Sequence, residues 1–345
     1  MKIRAISVYG LFGRHDHVVS IFSDGLTYIH SPNGCGKSTL IRMVSLLFTG
    51  EIKELAAIPF ERMDIAFFDG KNLIVERSDN GLLVQMQRNE LESELTEDEL
   101  RSVMRTTFIR SDRAFVKDAE GRIFNAVEAY AYELSVMLKN AKEQHSLKVP
   151  KYDNKMGDDE IINWAKDINA KLNFIRDAGF DVDMPSGLRF PPARYDLTGS
   201  RKEYLDLIHG LSEFVERSYY LSESVVVFKD IINSFLIDKD MRIDENDHVT
   251  FLLSNGIALP LNALSSGEKQ IFILFFRMLF EAAPSSFVMI DEPEISLHVS
   301  WQQKIGGMMK DVARLRDLQV VIATHSPQII HEDWELTNEL RAGSA

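Results

Sequence analysis

The sequence predicts an α/β fold with a parallel central sheet, an antiparallel β-subdomain near the N-terminus, and a helical lobe with an insertion. Three observations carry this expectation. Ser286-Phe287-Val288-Met289-Ile290 and Val320-Val321-Ile322-Ala323 are near-continuous apolar runs of strand length, the composition of parallel strands buried on both faces. Short β-prone runs are joined by Asp69-Gly70 and Asn80-Gly81, dipeptides that favour hairpin turns and hence antiparallel pairing. Between residues 124 and 238, apolar side chains recur at three- and four-residue steps, the period of helices with one buried face.

At 345 residues the chain has room for about two domains, or one domain with a large insertion. Residues 2–8, 18–22 and 26–30 read as strands, and residues 40–48 as a helix. Residues 65–68, 73–75 and 82–84, linked by the two turns, predict a three-stranded antiparallel subsheet. Residues 1–90 are therefore expected to be the N-terminal part of the core. The acidic run 90–99 changes the composition and is expected to open a helical insertion over residues 91–186. Within it, Phe124, Val127, Ala131, Leu134 and Leu138 form one apolar stripe, and Ile161, Ala165, Ile168, Leu172 and Ile175 a second. The polar stretch 148–159, with Pro150 and Gly157, reads as a loop between them. No sustained heptad pattern exists, which excludes long coiled-coil arms.

A strand is expected at 188–192, stopped by Pro191-Pro192 because proline removes ladder donors. A helical block, 204–238, follows. Residues 248–253 and 257–259 flank Asn255-Gly256, a further hairpin signal. From Ser265 to His325 the order is helix, buried strand, loop, helix, buried strand, so residues 187–330 are expected to complete the core. Residues 331–345 form a short polar tail whose Gly343-Ser344-Ala345 end reads as a cloning scar or a truncation edge.

With 45% hydrophobic and 26% charged residues, collagenous, disordered and disulfide-scaffold classes are excluded. Lys plus Arg number 39 against 52 Asp plus Glu, a net charge of −13 that argues against a sequence-independent coat on nucleic acid while leaving room for a local basic groove. The single cysteine, Cys35, forms no intramolecular disulfide. The longest apolar stretches fall short of the roughly 20 residues that cross a bilayer. The first residues run into strand-like sequence without a cleavable apolar segment, so a cytoplasmic location is expected.

Ser31-Pro32-Asn33-Gly34-Cys35-Gly36-Lys37-Ser38-Thr39 lies between a strand and a helix, the context of a phosphate-binding loop. Gly34 and Gly36 let successive backbone N–H groups converge on phosphate oxygens, and the following helix presents its positive end. Asn33, Gly34, Cys35, Gly36, Lys37, Ser38 and Thr39 are the expected nucleotide-binding set. Lys37 is expected to reach the β- and γ-phosphates, Ser38 to place its hydroxyl on Mg²⁺, and Thr39 to donate to the α-phosphate. Ser31 stands where the pattern G-x-x-x-x-G-K-[ST] has its first glycine. The buried run 286–290 ends in Asp291-Glu292: Asp291 is the expected Mg²⁺ ligand, and Glu292 the group that orients and deprotonates water. Ser265, with Glu268 three residues on, is a helix N-cap signal.

Leu264-Ser265-Ser266-Gly267-Glu268-Lys269-Gln270 also resembles the signature motif of the ATP-binding-cassette (ABC) ATPases, in the form of the SMC, RecF and overcoming-lysogenization-defect branch. Pro293-Glu294-Ile295-Ser296-Leu297-His298 resembles the D-loop of that family, and Val320 to Ser326 its last core strand and switch histidine. The resemblance covers residues 1–90 and 187–330. It implies a P-loop NTPase of ABC type using ATP and Mg²⁺, in which Lys37, Glu292 and His325 are catalytic and His325 meets the γ-phosphate. It further implies that Ser265, Ser266, Gly267 and Glu268 cap the nucleotide of a second copy, in a homodimer or higher homo-oligomer.

No Q-loop glutamine is found, and residues 188–195 occupy the slot, where Pro191-Pro192-Ala193-Arg194 is similar to a turn of related small ATPases. For the adenine only Phe12 and Arg14 stand out. The texture of these motifs is most similar to ATPases of bacterial anti-phage defence systems such as PARIS, Septu and the retron-associated type. Those work with a nuclease or toxin; this sequence shows no nuclease signature, so a separate effector is implied. Alternatives are a RecF- or SMC-like repair ATPase binding DNA across the closed dimer, which the acidic balance disfavours; a transporter subunit; and a slow nucleotide-dependent scaffold.

Overall fold

The computed structural model describes residues 1–341 except 24, 79–80, 89–90, 111–114, 118–122, 144–155, 180–183 and 185–186. Asn80 of the second turn, Glu90, most of the expected 148–159 loop and the 343–345 end therefore lie outside the described residues. The chain divides into two compact units, Met1–Ala126 with Leu264–Ala345, and Val127–Ala263. Among the described residues no helix is long and apolar enough to cross a membrane.

The first unit opens with β1 (Ile3–Leu11), β2 (His15–Ser20), β3 (Leu26–His30), α1 (Lys37–Thr49) and the short α2 (Ile52–Ala56). There follow β4 (Arg62–Phe67), β5 (Asn72–Ser78), β6 (Gly81–Arg88), β7 (Leu91–Glu94), α3 (Glu97–Val103), β8 (Thr106–Arg110), β9 (Phe115–Lys117) and β10 (Ile123–Asn125). The expected three-stranded subsheet is β4–β5–β6, at the heart of a larger antiparallel sheet of order β2-β1-β4-β5-β6-β7. Gly70, at φ +83°, makes the first turn. Alternating residues Ile6, Val8, Met63, Ile65, Leu73 and Val75 converge on Leu40, Ile41, Val44 and Leu47 of α1 in one buried cluster. The edge strand β7, Leu-Glu-Ser-Glu, is exposed along its whole length, so its composition reads as an acidic loop although its backbone pairs with β6.

In the second unit, α4 (Ala126–Glu143) buries Val127, Ala131, Leu134 and Leu138, and α5 (Asp158–Asp177) buries the complete Ile161-to-Ile175 stripe. Phe124, expected in the first stripe, lies in β10 instead. α6 (Leu197–Phe235) follows, with the hairpin strands β11 (Lys239–Ile243), β12 (Val249–Leu253) and β13 (Ala258–Leu259). Gly256, at φ +82°, turns β12 into β13 as its dipeptide predicts. The strand expected at 188–192 is absent: the segment bends, because two adjacent prolines deny it donors for any ladder.

The chain returns to the first unit with α7 (Ser266–Phe276), β14 (Phe287–Asp291), α8 (Val299–Leu315), β15 (Gln319–Thr324), α9 (Pro327–Ile330) and β16 (Thr337–Glu339). These strands complete a five-stranded, all-parallel sheet of order β16-β3-β15-β14-β8. The first four residues of β14 and all of β15 are buried, as their apolar runs predict. The structure divides the chain differently from the expectation: residues 187–263, expected with the rest of the core, fall in the second unit, residues 337–339 of the expected tail form β16 of the parallel sheet, and the expected insertion does not begin at residue 91. Residues 91–110 fall in the first unit, and β8 lies in the central sheet beside β14, in register Asp291↔Arg110. Because every strand is parallel, the carboxyl ends of β3, β15, β14 and β8 share one edge, where ligands of open α/β sheets bind.

Candidate nucleotide site at the sheet edge

The loop after β3 wraps around its own lysine. Lys37, only 4% exposed, donates to the Ser31 carbonyl at 2.8 Å and to the Ser31 hydroxyl at 3.1 Å. That hydroxyl in turn donates to the Pro32 carbonyl. Serine in place of the pattern's first glycine thus supplies an acceptor that aims the lysine. Burial pushes the Lys37 ammonium below its ordinary pKa, with the carboxylates at 291, 292 and 294 opposing. Gly34 and Gly36 sit at φ +86° and +85°, the left-handed region that favours glycine, and Gly36 caps α1 with no side chain. A chain so bent, with the unsatisfied N–H groups of a helix start behind it, suits an anion.

Ser38, the next residue of α1, donates its hydroxyl to Asp291 Oδ1 at 2.8 Å. Burial raises the Asp291 pKa, and the Ser38 hydrogen bond and the Arg110 guanidinium act against it. Two oxygen donors this close suit a hard cation; among the described residues no cluster of three or more His, Cys, Asp or Glu offers a fuller set. That pair fits Mg²⁺, which keeps waters and shares phosphates rather than filling an all-protein cage. Glu292, at φ +50°, faces His325: Nε2 lies 3.3 Å from Glu292 Oε1, while His325 Nδ1 is 3.2 Å from Lys37 Nζ. Lysine only donates, so Nδ1 is the acceptor and the neutral ring's proton sits on Nε2, toward Glu292.

Phe12, Asn33, Gly34, Gly36, Lys37, Ser38, Thr39, Glu292 and His325 line one cavity of about 460 Å³. The structure thus gathers the 33–39 loop, Asp291, Glu292 and His325 from three strand ends. It does not bring Ser265, Ser266, Gly267 and Glu268 into that lining. Those residues form a capping box, Ser265 Oγ accepting from Glu268 N and Glu268 Oε2 from Ser265 N at 2.9 Å, which leaves Ser265 and Ser266 exposed at the start of α7. Gly267 packs against the 293–298 loop so closely that an added Cβ would stand 2.9 Å from the Ser296 carbonyl. His298 caps α8. Arg14 is not among the residues lining the cavity, whereas Phe12 borders it 43% exposed.

The segment 188–195, read from the sequence as the nucleotide-coupling slot, belongs to the second unit. Arg194 pairs with Asp159 at 2.5 Å within the second unit, both side chains well exposed. The strand beside Asp291 is β8, and its last residue, Arg110, lines a neighbouring cavity with Ser38, Asp291 and Glu292, its guanidinium 4.8 Å from the Phe108 ring. Thr106-Thr107-Phe108-Ile109-Arg110 is a β-prone run; the acidic stretch before it and the helical stripe after it masked the signal. Glu294, which the sequence placed in the D-loop resemblance without a role, has its Oε1 accepting from the Thr324 hydroxyl (2.7 Å) and the amides of His325 (2.7 Å) and Ser326 (3.2 Å). This one oxygen ties the loop after β14 to the loop after β15.

The chain is 30% identical over 181 residues to the retron Ec83 probable ATPase of Escherichia coli, covering 48% of this chain and 33% of that protein. To the retron Vc95 probable ATPase of Vibrio cholerae it is 24% identical, covering 61% and 47%. It therefore spans a third to about half the length of these relatives. Among solved structures, the Smc head domain with an extended coiled coil bound to the C-terminal domain of ScpA, from Pyrococcus furiosus, aligns with a TM-score of 0.51 at 13% identity, covering 95% of this chain and 91% of that one. At that identity the likeness shows the fold, that of a P-loop ATPase with a parallel and an antiparallel sheet. A family model matches residues 32–331, from Pro32 to beyond His325, and on that match the chain belongs to the family described as AAA domain, putative AbiEii toxin, Type IV TA system.

Proposed function

We propose that this chain binds Mg-ATP at the 31–39 loop and hydrolyses it, with two copies closing head to tail over two nucleotides. The observation that carries the reading is the convergence of Lys37, the Ser38–Asp291 pair and the Glu292–His325 pair on one sheet edge. Lys37 and the loop amides would hold the phosphates. Mg²⁺, held by Ser38 and Asp291, would neutralise charge on the phosphate oxygens. Glu292 would take the proton of the attacking water, and His325, donating through Nε2, would orient that carboxylate or meet the γ-phosphate.

The exposed Ser265 and Ser266, set on a helix start outside the cavity, support capping of a second copy's nucleotide. Closure driven by ATP would be the output, delivered to a separate nuclease or toxin effector in an anti-phage defence complex. The likeness to the two retron ATPases supports that setting.

Light scattering after gel filtration of Glu292→Gln tests the sandwich, since that change removes the base and keeps the shape. Mass is expected to double with Mg-ATP and to stay monomeric when Ser265→Arg is added, while Lys37→Ala loses ATP binding. A mass indifferent to ATP, with ATP bound, would sink the head-to-tail closure.

A further inference from the structure

β2 carries two histidines into the core. Strand periodicity puts His15, His17 and Val19 on its buried face, with His15 7% and His17 2% exposed, and the two rings stack at 5.6 Å between centroids. A buried polar ring needs a partner. His17 Nε2 has one in the phosphate loop itself, the Cys35 carbonyl at 2.8 Å. A carbonyl only accepts, so Nε2 carries the proton. Burial holds His17 below its ordinary pKa, and His15 pushes the same way, while the Cys35 bond and Asp16 oppose them. At neutral pH the ring is therefore uncharged.

The Cys35 carbonyl and the Gly36 N–H belong to one planar trans peptide and point in opposite directions. Gly36, at φ +85°, has the freedom to let that peptide rotate, and it borders the cavity that holds Lys37. A carbonyl drawn onto β2 turns the Gly36 N–H away from β2. Released, the same peptide can flip and present an oxygen to an anion.

We infer that His17 is a positioning residue of the phosphate loop: by holding the Cys35 carbonyl it orients the Gly36 amide as an anion donor. This rests on reading the loop as a nucleotide site. The loop has its own reporter in Cys35, the only cysteine, 3% exposed. The test compares wild type, His17→Leu, His17→Gln and Val19→Ala in the full chain. Thiol alkylation of Cys35 is followed without nucleotide, and binding of Mg-ATP by calorimetry. His17→Leu is expected to alkylate faster and to bind ATP about tenfold more weakly, the factor that ~1.4 kcal/mol commands. His17→Gln, which keeps an N–H donor, is expected to restore both. Val19→Ala, a core truncation on the same face, should lower the melting temperature yet leave both readings near wild type. Alkylation in His17→Leu at the wild-type rate, or equal changes in His17→Leu and Val19→Ala, overturns the inference. A wild type that binds no ATP overturns the nucleotide reading instead, and the alkylation rates still decide whether His17 holds the loop.

Discussion

Glu294 shows how much a single side chain can organise. Its Oε1 collects three donors from the segment that carries His325, and its Oε2 is buried without a partner in the described structure. Replacing it by alanine strands the His325 amide and the Thr324 hydroxyl, while the Ser326 amide keeps Thr324 Oγ1 as an acceptor at 2.9 Å, and an unsatisfied buried donor costs about 1–3 kcal/mol. We expect Glu294→Ala to lower ATP turnover about tenfold, while ATP affinity, set mainly by the 31–39 loop, changes about threefold or less. Glu294→Gln keeps an acceptor oxygen and is expected to recover most of the rate. Equal losses in the two variants, in steady-state turnover and equilibrium binding, would show that the charge matters and the anchoring does not. Ser31 acts at the same scale, since its hydroxyl and carbonyl aim Lys37.

At the scale of elements, close approaches of backbone decide where helices sit. In α8, Gly306 and Gly307 are neighbours with opposite surroundings. A Cβ on Gly306 would stand 2.5 Å from the Ile329 carbonyl of α9, whereas one on Gly307 would meet nothing within 4 Å. Gly306→Ala is expected to cost about 1–3 kcal/mol by overpacking. Gly307→Ala is expected to add about 0.5–1 kcal/mol, because alanine loses less freedom in a helix. Urea midpoints of the two variants measure both signs; a stabilised Gly306→Ala would mean that α9 yields at little cost. The central sheet is equally an outcome of pairing between distant segments, with β8, β14, β15 and β3 drawn from opposite ends of the chain.

For the whole molecule, a net charge of −13 sets what it can approach. A duplex-DNA clamp draws its affinity from neutralised phosphates and weakens steeply with salt. We expect no change in the anisotropy of a labelled duplex at about 0.15 M salt, with or without ATP. Salt-dependent binding would move the repair-type reading ahead of the effector-controlling one.

By itself the sequence determined the motifs and their local frames: the strand, loop and helix around residues 31–39, the buried runs ending at Asp291 and His325, the Ser265 cap and the two helical stripes. Each depends on neighbours a few residues away, on period and on turn chemistry, which composition exposes. The tertiary structure decided what pairing across the chain creates. It made β7 a strand despite its charges, because backbone hydrogen bonds to β6 do not depend on side-chain type. It put Arg110, in a segment that reads as insertion, beside Asp291, and left Arg194 in the second unit. It also brought Glu294 to the His325 amide and His17 to the Cys35 carbonyl. Those side chains carry no local pattern, since their partners are supplied by strands that meet only when the sheets form.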